Sequence, residues 1–61
     1  MTLRELRQKK DMSQTKLASE VGVSKSTISM LEAKVRKPSL ATVKKLAEVL
    51  QVDVKEILEC F

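Results

Sequence analysis

Apolar residues along this chain fall into five short runs at helical spacing, and each run follows a small polar residue suited to capping a helix. Leu3 and Leu6 follow Thr2, Leu17, Ala18 and Val21 follow Ser13, and Ile28 and Leu31 follow Ser24. Leu40, Val43, Leu46, Ala47 and Leu50 follow Ser39, and Ile57, Leu58 and Phe61 follow Asp53. Spacings of three and four keep one helix face apolar, and a Ser, Thr or Asp before the first turn accepts from its free N–H groups. The pattern predicts five helices. Thr2 with Glu5 and Asp53 with Glu56 have the spacing of capping boxes. Met12 with Leu17, Val23 with Ile28 and Val52 with Ile57 have the spacing of hydrophobic staples, which fix how the chain turns into a helix. The connections are only a few residues long, and the longest, around AKVRKPS, is strongly basic.

Between the second and third runs stands Gly22, the only glycine. A flexible linker would account for it, and so would a fixed corner between two steeply crossed helices. The stretch QTKLASEVGVSKSTISMLEA, residues 14–33, favours the corner. Two helices crossing at roughly 90–120° need a small residue where they approach, a role that Ala18 fills. The turn needs a residue tolerant of positive φ, which Gly22 is. Val23 then points inward and Ser24 caps the next helix. A linker would not need apolar residues at Leu17, Val21, Val23, Ile28 and Leu31. With Ile28 and Leu31 buried, Lys25, Ser26, Ser29, Met30 and in part Thr27 are left on the outer face.

Composition narrows the fold class. At 61 residues the chain is expected to be one domain, 1–61, with a small core, and its only aromatic residue is Phe61. Leu, Val, Ile, Ala and Met must build that core, which suits helices and disfavours an all-β fold. Cys60 is the single cysteine, so no disulfide can form within the chain, and no apolar run marks a signal peptide or membrane span. The expectation is an intracellular, cytoplasmic protein with a free thiol and no membrane partner. The net charge of +4 is uneven: residues 1–37 hold nine Lys or Arg against four acids, residues 38–61 three against four. Charge alone leaves a solvated basic surface and a nucleic-acid contact equally open.

The motif at 14–33, followed by VRKPSLATVKKLAEVL, resembles the Cro and phage-repressor (XRE) family of helix-turn-helix domains over nearly the whole chain. The resemblance implies an all-α, compact five-helix bundle of the lambda-repressor-like type, with the helix-turn-helix at the second and third helices. It implies binding to double-stranded DNA as a transcriptional regulator, chiefly a repressor, and as a homodimer. By resemblance, Lys25, Ser26 and Met30 read bases, with Thr27 and Ser29 at the margin. Gln14, Ser24, Lys34, Arg36 and Lys37 hold phosphate, and Arg7 pairs with Glu32. Two departures stand out. Ala33-Lys34 replaces the family's frequent Asn-Gly, leaving the loop geometry open, and Met30 occupies an often polar position, where it can meet a thymine methyl.

Residues 38–61 are less basic and end in ILECF, so Ile57, Leu58 and Phe61 either close the core or form an apolar patch for self-association. The competing reading is a helix-turn-helix scaffold that binds another protein through this end. No enzyme chemistry is expected: the chain has no His and no Gly-rich phosphate loop. No metal, cofactor or small-molecule ligand is implied.

Overall fold

The computed structural model describes all residues, 1–61, and contains five α-helices without a strand: α1 (Leu3–Lys9), α2 (Gln14–Val21), α3 (Lys25–Glu32), α4 (Leu40–Leu50) and α5 (Val54–Glu59). Thr2, Ser13, Ser24, Ser39 and Asp53 stand at the five N-cap positions. Ser13, Ser24 and Ser39 accept from the backbone N–H three residues on, and Thr2 with Glu5 forms a complete capping box. Hydrogen bonds from the Thr2 backbone and hydroxyl hold the Glu5 carboxyl below its ordinary value. The box expected at Asp53 does not form. Its carboxylate makes no capping bond, and α5 starts on the Asp53 main-chain carbonyl, which accepts from Glu56 and Ile57.

Four helices end in the same way. Asp11, Gly22, Lys34 and Gln51 all have positive φ, and the residue after each donates its N–H back to the carbonyl five residues earlier. This is the bond of a Schellman motif, in which a left-handed residue lets the chain reverse while using a helix-end carbonyl. Only one of the four is glycine. Asp, Lys and Gln accept the conformation at a backbone cost that the surrounding packing offsets. The apolar residue following the left-handed one is Met12, Val23 or Val52 at three corners, and all three pack against the core. Each also precedes an N-cap, so one side chain serves the end of one helix and the start of the next.

The core is a single cluster of thirteen buried residues drawn from all five helices and Cys60, with Leu17, Ile28, Leu31, Leu46, Leu50 and Ile57 essentially inaccessible. Each such side chain contributes about 1.5–3 kcal/mol of burial energy. Helix α2 packs on α3 and α4, α4 packs on α5, and α1 closes against α3. Leu40 departs from the expected apolar face: it is 65% exposed at the first position of α4, where the cap Ser39 directs it outward. The Cys60 thiol belongs to the core instead, donating to the carbonyls of Met1 and Glu56 at 3.3 Å, and burial pushes its pKa up. No helix is long and apolar enough to cross a membrane.

Candidate nucleic-acid interface

Helix α3 lies between two demands. Ile28 and Leu31 face the core and are fully buried, and with 3.6 residues per turn Ser26 falls on the opposite side, flanked by Ser29, Met30 and Lys25. These four residues and Gln14 from the start of α2 line one open groove. Lys25, Ser26 and Ser29 are exposed and Met30 is half-buried. Lys25 is the first residue of its helix, a position where a cation works against the helix dipole. Helix stability does not explain a lysine there.

Thr27 is not part of this face. Its backbone N–H donates to Ser24 Oγ at 3.1 Å, and its own hydroxyl lies 3.0 Å from the same atom. Half-buried, it lines a second hollow with Val23, Arg36, Lys37, Ser39 and Thr42. The placement follows from helical period: Thr27 is one position before Ile28 and turns toward α4. Ser24 is likewise occupied as the α3 cap, although its residue is exposed.

The corner between α2 and α3 is rigid for identifiable reasons. Gly22 has φ +87°, its N–H and that of Val23 both return to the Ala18 carbonyl, and Ala18 is buried where the helices meet. Val23 is half-buried against the core.

A second brace holds the far end of α3. Taken over the whole residue, Arg7 is the one buried charged residue. Its Nε and Nη2 donate to the two carboxylate oxygens of Glu32 at 2.5 and 3.2 Å, and its Nη1 donates to the Met12 carbonyl at 2.7 Å. Gln14 Nε2 donates to Glu32 Oε1 at 3.0 Å, and Arg4 lies 3.6 Å from that oxygen. The Glu32 side chain is 1% exposed. Burial alone would raise its pKa, but the hydrogen bonds of Arg7 and Gln14 and the charges of Arg7 and Arg4 bring it below the ordinary value. The bidentate pair ties α1 and the α1–α2 turn to the last residue of α3. Gln14 adds α2 to the same carboxylate. Sequence reasoning assigned Gln14 to phosphate and did not find this bond or the Arg4 contact.

Beyond α3, Lys34 takes the left-handed position that the Ala33-Lys34 departure left open, with φ 62°. Lys34, Arg36 and Lys37 are exposed and make no ion pair. One further signal was available in the sequence and went unread: the first turns of α2, α3 and α4 carry no acidic residue, whereas those of α1 and α5 carry Glu5 and Glu56. The positive ends of α2, α3 and α4 are thus left uncompensated.

At the C-terminal end the expected apolar patch is mostly core. Ile57 is fully buried in the core cluster, against which Val52 also packs, and Phe61 is half-buried against the same cluster. Ile57 therefore takes the core-closing alternative, while Phe61 keeps part of its side chain exposed. Leu58 is 55% exposed and Val54 37%.

A helix-turn-helix family model of Cro/C1 type matches residues 3–57. The chain belongs to this XRE family. Among solved structures, SinR, the master regulator for biofilm formation, crystallised in complex with DNA, is 33% identical with a TM-score of 0.85. The match covers 92% of this chain and 90% of that one. No curated protein matches the sequence. Membership of the family accounts for the five-helix order and for the position of the α2–α3 corner within it.

Proposed function

We propose that the protein is a sequence-specific, double-stranded DNA-binding transcriptional regulator that acts as a repressor. The observation that carries this reading is the outward face of α3, where Lys25, Ser26, Ser29 and Met30 stand over an open groove beside a loop with three unpaired cations. An α-helix of this width fits the major groove, where lysine donates to guanine O6 and N7, serine pairs with either donor or acceptor, and methionine meets a thymine methyl. Lys34, Arg36 and Lys37 hold the backbone phosphates on one side. Ser24 and the free backbone N–H groups of Gln14 and Thr15 meet phosphate at the helix starts. Thr27 belongs with the phosphate contacts, since it faces the loop. The likeness to SinR in its DNA complex supports the same mode of docking. Occupying a promoter in this way excludes polymerase, which is sufficient for repression.

Dimerisation falls to Leu58 and Val54, the exposed apolar residues of α5. A two-fold dimer would read two half-sites about 34 Å apart. The test is binding to duplexes selected from a randomised pool. Three loop cations per subunit give a log K against log salt slope of roughly −3 per subunit. Lys25→Ala should change which sequences are preferred, whereas Arg36→Ala should weaken all of them alike. A flat salt dependence, or the same effect from both substitutions, would overturn the assignment.

A further inference from the structure

We propose that Gln14 reads a base: its side-chain carbonyl oxygen accepts a hydrogen bond from the exocyclic amino group of an adenine or cytosine in the major groove. The inference rests on the DNA-binding reading above. An amide has a donor end and an acceptor end of similar shape, and its orientation is decided by its neighbours. Here one neighbour settles it. Gln14 Nε2 lies 3.0 Å from Glu32 Oε1, and an ionised carboxylate only accepts, so the amino end must face Glu32. Arg7, in bidentate contact, keeps that carboxylate ionised. The carbonyl oxygen is therefore turned away from Glu32, on the other side of the amide carbon.

That oxygen makes no hydrogen bond within the protein, and it is not enclosed, since no buried side-chain polar atom lacks a partner. Gln14 borders the groove formed with Lys25, Ser26, Ser29 and Met30. Lys25 there only donates, the serines do either, and Met30 offers an apolar surface, so Gln14 supplies the groove's one fixed acceptor. In the major groove adenine N6 and cytosine N4 are donors, whereas guanine and thymine present acceptors. The oxygen itself repels a phosphate, and only the second amide N–H, which Glu32 leaves free, donates to one. The side chain is half-buried and already held through Glu32 to Arg7, so ordering it on binding costs less than ordering a free surface glutamine.

The experiment uses two variants. Gln14→Lys keeps a donor for Glu32 and removes the acceptor, and Gln14→Met removes both. Wild type and variants, each confirmed folded by circular dichroism, are used to select duplexes from a randomised pool. Each adenine or cytosine of the wild-type motif is then replaced by its analogue lacking the amino group. The expected result is one position per half-site where wild type selects adenine or cytosine and loses about 3–10-fold on removal of the amino group. Both variants should lose that preference and show no further loss with the analogue. If the variants keep the wild-type motif at every position, or the analogue costs all proteins equally, the proposal is overturned while the regulator reading stands. If wild type selects no motif, both fall together.

Discussion

Replacing Arg7 by methionine would leave the Glu32 carboxylate inside the α1–α3 contact with its main partner gone. Three hydrogen bonds are lost, two to Glu32 and one to the Met12 carbonyl, and the Glu32 side chain is 1% exposed. Removing one partner of a buried pair costs about 3–5 kcal/mol, chiefly because the remaining charge is uncompensated. Gln14 still donates at 3.0 Å, and Arg4 is 3.6 Å away but 63% exposed, so its screened charge helps little. The low end, about 3 kcal/mol, is therefore expected. Against a total of roughly 3–9 kcal/mol for a chain of this length, that is a third of the stability or more.

The pH dependence makes the test sharper. In wild type the Glu32 pKa is depressed below 4.5, so its contribution is present above that value and lost as pH falls through the folded pKa. In Arg7→Met, burial dominates and raises the folded pKa, so the penalty grows as pH rises past the unfolded value. Above about pH 4.5 the wild-type contribution from this group is constant while Arg7→Met loses stability as pH rises, and below that value wild type loses stability as pH falls while the variant does not. Because the chain has no Trp or Tyr, urea unfolding is followed by far-ultraviolet circular dichroism. Arg7→Met with Glu32→Met should recover most of the loss, since neither charge remains. A loss below about 1 kcal/mol, or parallel pH slopes, would refute the view that Arg7 compensates Glu32.

Other expectations follow from the corners and the C-terminal helix. A Cβ at Gly22 would meet nothing within 4 Å, so Gly22→Ala should cost only backbone strain, about 1 kcal/mol in urea unfolding, and Gly22→Val more because of its branching. Lys34→Gly removes the same strain where φ is 62° and should raise stability by up to about 1 kcal/mol while weakening binding to every duplex alike. Ile57→Ala should destabilise by about 2–5 kcal/mol, whereas Leu58→Glu should change stability by less than about 0.5 kcal/mol and produce monomers in sedimentation. Cys60 should resist alkylation in the native protein and react at a rate that follows its opening, measured by mass spectrometry against a denatured control.

The helices were legible because their signals are local. A cap residue and an apolar face can be read within a dozen positions, and all five starts were found that way. Gly22 announced its left-handed conformation by composition, but Asp11, Lys34 and Gln51 did not: no side chain prefers that region enough to mark it, and only at Asp11 and Gln51 do a following apolar residue and cap hint at the turn. Arg7 with Glu32 came from family resemblance, while the bond from Gln14 to the same carboxylate depends on how three helices converge, which no single stretch encodes. Ile57 illustrates the opposite failure. Its helical spacing could not distinguish a core residue from one on a sticky face, and its place inside the core cluster decides the matter.

The corners have a consequence for how this chain can vary. At Asp11-Met12-Ser13, Gly22-Val23-Ser24 and Gln51-Val52-Asp53, the left-handed residue, the core-packed residue and the cap are consecutive, so an inserted residue would re-aim two helices together. Between α3 and α4, Arg36, Lys37 and Pro38 separate Val35 from Ser39, and Val35 is 73% exposed rather than anchored in the core. Here the end of one helix and the start of the next are set independently. Length polymorphism among relatives should gather at this joint, where the cationic loop can be lengthened or shortened without disturbing the angle of the reading helix.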